Sequence, residues 1–367
     1  MKNKSEKKKR FKWWLIPIAV AGIPVIGYGI YAAAVFARYY RLEDNLTLDV
    51  NGSAETAAET GKEYTAVSYN IGFGAYTPEY TFFMDGGKSS RAESKESVIA
   101  CTEGAMDTAM SFDPDIILYQ EVDTDSDRSW HVDQSAMITE ETDAQGFDSV
   151  FAQNYHSDYL FYPLNEPIGA SKSGLLSELK FDVTSAVRRK LPIAESAEKI
   201  LDLDRCYSIM RCPVENGREL VIINTHLSAY GTDAANGNAQ LEMMFKDMAA
   251  EYEKGNYVIC GGDFNHDFTG GSREQLNPGT DRIYSWCQPF PEDIIPEGFS
   301  RCLDYSNELI GSTRMVDIPY DPEKSFTVIL DGFIVSDNVK CNDVRIEANG
   351  FKYSDHHPVV MDFELLD

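Results

Sequence analysis

The chain is short of positive charge outside its first residues. Of its 33 lysines and arginines nine lie in residues 1–41, where the only acidic residue is Glu6. The other 24 face 58 aspartates and glutamates in residues 42–367, which leaves a formal charge of −34 there. A surface that acidic repels polyanions at long range, and screening over about 8 Å at physiological salt weakens the repulsion without reversing it. Stable binding to duplex nucleic acid is therefore not expected. CxxC pairs are also missing among the seven cysteines, so a structural zinc knot or a thioredoxin-like centre has no support. The odd count leaves at least one thiol free. Spacing permits a disulfide between Cys206 and Cys212 or between Cys287 and Cys302, although buried thiols are the commoner state. No repeat with a period of roughly 20–50 residues is visible. With 43% hydrophobic residues the chain is too apolar to be disordered.

What is present begins with a basic cluster. Lys2, Lys4, Lys7, Lys8, Lys9, Arg10 and Lys12 precede 25 uncharged positions, Trp13 to Ala37. As a helix that stretch is about 37 Å long, enough for a hydrocarbon core of about 30 Å. Trp13, Trp14, Tyr39 and Tyr40 stand where interfacial aromatics belong, and the basic flank places residues 1–12 in the cytoplasm. Residues 13–37 are expected to be a transmembrane anchor, with Pro17 and Pro24 tolerated inside it. The alternative is a signal peptide cleaved near Ala32, Ala33 and Ala34, but such signals use shorter apolar runs. Either reading exports the remainder. Residues 38–62, rich in Ala, Glu and Thr, read as a solvated linker, and residues 63–367 as one folded domain.

From Tyr64 onward, short β-branched and aromatic runs alternate with Gly, Asp and Asn turns. Two helices are expected, at about Ala92–Met110 and Ala239–Tyr252. The fold class is α+β. Several runs end in polar side chains. TAVSY (65–69) leads into Asn70, DIILY (115–119) into Gln120 and Glu121, and LVII (220–223) into Asn224, Thr225 and His226. YVIC (257–260) leads into Gly261, Gly262, Asp263, Phe264 and Asn265, and FTVIL (326–330) into Asp331. Ser354, Asp355, His356, His357 and Pro358 precede a closing strand, VVMDFEL (359–365). A single Asp or Asn after a strand is usually a turn former. Six such ends, supplying oxygen ligands and proton carriers in this order, are not what independent turns would select.

The ordered motifs SYN, QEV, NTHLS, GGDFN, LDGFIVS and SDHHPV resemble the endonuclease/exonuclease/phosphatase superfamily over about residues 64–367. The resemblance implies a four-layered α/β/β/α sandwich, with a site at one rim that cleaves phosphate esters using Mg2+, or else Mn2+ or Ca2+. Such chemistry needs neutralised phosphoryl oxygens, an activated water and a stabilised leaving oxygen. By resemblance Asn70, Glu121 and additionally Asp355 serve the metal, while His226, Asp263, Asn265, Asp331 and His356 are catalytic. Asp263 orients or deprotonates the water, and Asn265 and His226 donate to phosphoryl oxygens. His356, held by Asp331, handles the proton. His357 is expected to be a structural neighbour.

Scarce cations near the motifs are candidates for the substrate. Lys88 and Arg91 fall in a Gly-rich stretch running into the first helix, and Asn154, His156 and Arg314 complete the set. Ion pairs on a solvated helix face explain Arg91 equally well, and aromatic packing explains much of the NYH (154–156) region. The expected function is a membrane-tethered, extracytoplasmic hydrolase of phosphate mono- or diesters in a small molecule, a nucleotide or a lipid head group. An extracellular nuclease is the first alternative, marked by affinity that falls steeply with salt. A non-catalytic module of the same fold is the second.

Overall fold

The computed structural model describes residues 13, 15–193, 204–229, 234–280, 284, 286–303, 305–306 and 308–367, with backbone alone at 15–19 and 234–237. The basic segment 1–12 and Trp14 lie outside the described residues. The chain divides into two units, Met1–Tyr40 and Arg41–Asp367. The first contains one helix, α1 (Leu15–Arg38), with Pro24 inside it. Its segment Val20–Arg38 is long and apolar enough to cross a membrane, which fits an anchor and a signal sequence alike.

The second unit is built on two seven-stranded sheets. Across the first, the order is β1 (Leu46–Thr47), β7 (Ser185–Lys190), β8 (Cys206–Pro213), β9 (Glu219–His226), β10 (Tyr257–Asp263), β14 (Asp331–Ser336) and β11 (Phe299–Arg301). Across the second it is β15 (Val339–Ile346), β16 (Val359–Leu365), β3 (Glu63–Asn70), β4 (Ile116–Asp123), β6 (Gly169–Leu179), β5 (Asp148–Leu160) and β2 (Val50–Asn51). A ribbon of β12 (Thr313–Arg314) and β13 (Thr327–Val328) stands beside them. Helices α2 (Lys95–Met110) and α3 (Gln134–Asp143) cover the second sheet, α4 (Ala234–Tyr252) covers the first, and α5 (Ser272–Leu276) is a short helix beyond β10. The result is the α+β, α/β/β/α sandwich.

Strand alternation sets these layers. Ala66, Ile116 and Leu118 enter the main core, while Val67, Tyr69, Ile117 and Tyr119 face the other way, onto Ala105 and Ala109 of α2 and Ile138 of α3. Leu241, Met244, Phe245 and Met248 of α4 pack on the first sheet. A buried amide pair ties the sheets together. Asn224 accepts from Gln120 Nε2 at 2.9 Å and donates to the Tyr119 and Leu176 carbonyls at 3.1 and 3.2 Å. Gln120 and Asn224, which the sequence places beside the site motifs, therefore staple the sandwich.

Several expectations are corrected. Residues 38–62 are not simply a solvated linker. Leu46–Thr47 pairs with Val187 and Arg188 at one sheet edge, Val50–Asn51 with Ser149 and Val150 at an edge of the other, and Ala58 is fully buried. Backbone hydrogen bonds hold this strap, so its polar composition does not reveal it. The first helix begins at Lys95 rather than Ala92, because Ser94 Oγ caps it by accepting from Ser97 N at 3.1 Å. The second begins at Ala234 rather than Ala239. Helix α3 was not expected, its apolar stripe being reduced to Ile138 among buried polar residues. All seven cysteines are free. Cys206 and Cys212 lie six residues apart on the extended β8, about 20 Å, which no disulfide spans. Cys287 and Cys302 belong to separate apolar clusters.

One buried carboxyl away from the rim makes stability depend on pH. Glu178 accepts from Ser149 Oγ at 2.6 Å, Thr142 Oγ1 at 2.8 Å and Thr139 Oγ1 at 3.3 Å. Burial pushes its carboxyl up to about 7, with the hydroxyl donors opposing. A folded-state value above the unfolded one means that the folded protein holds the proton more tightly. Stability is then lost as pH rises from about 4.5 through about 7. Glu178→Gln is expected to add up to about 3 kcal/mol near pH 8 and almost nothing near pH 4. Denaturant midpoints at the two pH values check this; a Gln variant with an undiminished pH slope would remove Glu178 as its source.

Candidate active site

Strand direction brings the motif residues to one rim. β3 and β4 are parallel, as are β9 and β10, so Asn70 lies beside Gln120 and Asp263 beside His226. β14 runs antiparallel to β10, and its first residue, Asp331, sits opposite Asp263. Asp331 thus opens a strand. FTVIL is not a single strand ending at it, since only Thr327–Val328 pairs. The turn before β16 is held to the same rim by Ser354 Oγ, which donates to Asn70 O at 2.7 Å.

Two backbone devices aim the side chains. The β4 ladder is irregular between Tyr119 and Val122, and Glu121 within it has φ of 56°. A bulge of this kind turns a side chain out of the ladder. Gly262 has φ of 148°, and a Cβ there would lie 2.0 Å from the Thr225 carbonyl oxygen. Only glycine lets β10 approach β9 so closely just before Asp263.

Asn70 Nδ2 donates to Asp263 Oδ2 at 3.1 Å and to Glu121 Oε1 at 3.4 Å, while its Oδ1 accepts from Gly72 N at 3.0 Å. As oriented, Asn70 positions both carboxylates through its Nδ2, and its Oδ1, the atom expected to serve the metal, instead accepts from Gly72 N. Asp263 Oδ2 lies 3.3 Å from His226 Nε2 and 3.8 Å from His356 Nε2. His226 therefore faces Asp263 as its neighbour, where the sequence reading turned it toward phosphoryl oxygens. Asn265 N donates to Asp263 Oδ1 at 2.9 Å, and its amide donates to Leu227 O at 2.8 Å. His356 Nδ1 lies 2.8 Å from Asp331 Oδ2, which also accepts from Ser312 Oγ at 2.6 Å and Thr313 Oγ1 at 3.1 Å.

Burial and charge divide the titratable groups. Burial, joined by the Asp331 charge, pushes the Asp263 carboxyl up to about 7. Burial opposes a charged His356, yet the Asp331 carboxylate overrides it and lifts the ring to about 10. Burial holds His226 well below the usual histidine value, keeping it neutral. Asp355 is raised to about 6, by burial first, with Glu121 adding to the shift and the His356 cation opposing it. His357 lies apart from these groups. It stacks on Phe351 at 3.7 Å, faces Gly311 O at 2.9 Å, and is brought to about 4 by burial.

A cleft of about 160 Å³ gathers Glu121, His226, Asp263, Asn265, Arg314, Asp355 and His356. Asn70 and Asp331 support it through the bonds above. The proposed substrate residues divide. Arg314 is 1% exposed, donates to Thr77 O at 2.8 Å, and lies about 6 Å from the rings of Tyr320 and Phe351. Its Nε has no hydrogen-bond partner, and the Asp355 charge acts on it from the same cleft. Burial lowers its pKa from the usual arginine value. A buried guanidinium of this kind favours an anion in the cleft. The other four do not line the cleft. Lys88 is exposed, and Arg91 donates to Pro167 O at 2.6 Å on a separate cavity beside Trp130. Asn154 and His156 miss it because alternate strand residues diverge, and Tyr155 between them is the one that lines it.

Sequence reasoning missed Arg128, Arg205, Tyr76 and Trp286, all on the cleft wall. Arg128 grips Asp123 through Nε and Nη2 at 3.0 and 2.8 Å and lies 3.9 Å over the Phe73 ring. The five-residue spacing from Asp123 was a signal, though a weak one.

The donors suit a divalent cation. Asp263, Asp331 and His356 bring ligand atoms within 4.8 Å of one another, a group that could bind a metal. The 2.8 Å contact already joining His356 to Asp331 makes this trio foremost a proton-carrying chain. Glu121 and Asp355 supply the hard oxygens that Mg2+ prefers, and their mutual repulsion is what a cation relieves.

No family model and no curated protein matches the chain in sequence. Solved structures do match in fold. An endonuclease/exonuclease/phosphatase from Beutenbergia cavernae superposes with a TM-score of 0.54 at 16% identity, covering 83% of this chain and 72% of that one. ANGEL2, a 2′,3′-cyclic phosphatase in complex with adenosine-2′,3′-vanadate, gives 0.53 at 14% identity, over 87% and 99% of the two chains. A further endonuclease/exonuclease/phosphatase, from Bacteroides vulgatus, gives 0.51 at 14%, over 83% and 99%. Carried by this sequence with little residual identity, the architecture around the cleft is the DNase I-like fold of the endonuclease/exonuclease/phosphatase proteins.

Proposed function

We propose that the protein is a divalent-metal-dependent hydrolase of phosphate esters, tethered to the membrane by α1 with its second unit on the extracytoplasmic side. The substrate is a mono- or diester in a small molecule, nucleotide or lipid head group. The observation that carries the reading is the meeting of Glu121, Asp263, His356 and Arg314 in one cleft. These residues are separated by up to about 235 positions in the chain and share a rim only through the sandwich topology.

Glu121 and Asp355 would hold the cation, which when bound supplies charge neutralisation at the phosphoryl oxygens. The chain's own groups do the rest. Asp263, held by Asn70 and His226, orients the attacking water and takes its proton. His356, kept cationic by Asp331, donates to the developing charge. Arg314 and Asn265 bind phosphoryl oxygens, and the acidic surface argues against a polyanionic substrate.

The purified full chain is expected to cleave bis-p-nitrophenyl phosphate or p-nitrophenyl phosphate, to stop in EDTA and to recover with Mg2+. Because Asp355 binds a proton near pH 6, protons compete with the cation there. The Mg2+ concentration for half-maximal rate should rise about tenfold or more between pH 7 and pH 5. Turnover that persists in EDTA, or none with any ester and metal, would reject the reading.

A further inference from the structure

Two exposed turns lie beside the cleft mouth. Leu164 is 86% exposed, Tyr162 60%, Phe161 53% and Met84 49%. These are large apolar side chains in a strongly acidic unit. No charged residue occurs from Tyr159 to Asn165, nor from Tyr80 to Met84. Ring contacts make the two turns one edge: Phe83 meets Tyr162 at 5.6 Å and Phe82 at 5.0 Å. Phe82 and Met84 then continue into the cleft wall.

We propose that this edge, residues 82–84 with 161–164, docks on a zwitterionic lipid surface and sets the cleft mouth against it. Three observations select that occupant. Leu164 and Tyr162 protrude, and acyl chains deform around protruding apolar groups, whereas a protein partner must present a matching pocket. The nearest charges in sequence, Asp85, Asp158 and Glu166, are acidic, which disfavours anionic lipid. Independently, the same chain carries α1, long and apolar enough to cross a bilayer. The substrate consequence rests on the phosphoesterase reading: an ester in a lipid head group would reach Arg314 and His356 along the Phe82–Met84 wall without leaving the bilayer surface.

The test places an environment-sensitive NBD fluorophore on Leu164→Cys, with Lys254→Cys as control, in full chain reconstituted in phosphatidylcholine nanodiscs. Both variants carry Cys341→Ser, since the other six native thiols are buried. Lys254 precedes β10 and so lies at the end opposite the site. The label at position 164 is expected to emit to the blue of the control and to lose intensity when doxyl-labelled phosphatidylcholine is included. Emission and quenching equal to the control would overturn the proposal. A blue shift without doxyl quenching would also overturn it, because protein then covers the edge, a second copy included. The readout needs no turnover, so its failure and the failure of the catalytic reading are distinguishable.

Discussion

His356→Ala is expected to lower kcat for phosphate-ester cleavage by about 10²–10⁴-fold. The ring is 5% exposed, borders the cleft, and is held by Asp331 at 2.8 Å, so no neighbouring water reproduces its charge in place. Asp331→Asn separates the charge from the shape. It leaves an oxygen for Ser312 and Thr313 but removes the carboxylate that lifts the ring to about 10. Burial is then opposed only by the Asp263 and Asp355 charges, the ring gives up its proton at lower pH, and the high-pH limb of the rate profile should move down. The sign for stability follows. The raised folded value means that the histidine's stabilising contribution is complete below about 6.5 and disappears as pH rises through about 10. Rate profiles of the two variants test this. A His356→Ala enzyme at the wild-type rate would remove the ring from the mechanism, and an unmoved Asp331→Asn profile would remove the pairing.

Gly262→Ala is the second large effect, a loss of about 3–5 kcal/mol of stability together with most activity. Its φ of 148° lies where alanine is strained, and the added methyl would sit 2.0 Å from a backbone oxygen of β9. A carbonyl in a ladder cannot swing aside as a side chain can. β10 would have to separate from β9 at the point where Asp263 and His226 are 3.3 Å apart. Gly271→Ala is the control. Its φ is not positive and the added carbon meets only the Gln275 side chain at 3.5 Å, so the midpoint should barely move. Comparable denaturation midpoints for the two variants would refute the argument.

The layers were legible because β3, β4, β9 and β10 are short, nearly unbroken apolar runs that end in distinctive residues. The meeting at the rim was legible only through the order of motifs. What escaped notice has physical causes. The bulge that re-aims Glu121 leaves no mark in composition, and Arg128 reads as one more loop cation until Asp123 and Phe73 enclose it. Within NYH, Asn154 and His156 read as substrate residues, yet Tyr155 is the one on the cleft wall, an error of strand phase. Gln120 and Asn224 are as polar as any site residue, yet their partners lie across the sandwich.

The strap of residues 46–51 bears on where the second unit could be separated from α1. Arg41 Nη2 donates to Leu191 O at 2.8 Å, and Leu46 begins the edge pairing. A shedding protease cutting at residues 39–40 would release a body with both borders hemmed. A cut at residue 62 would strip them and leave raw β edges that invite fibre-like stacking. A form of the second unit without α1 should therefore begin at Arg41, not at the first long strand.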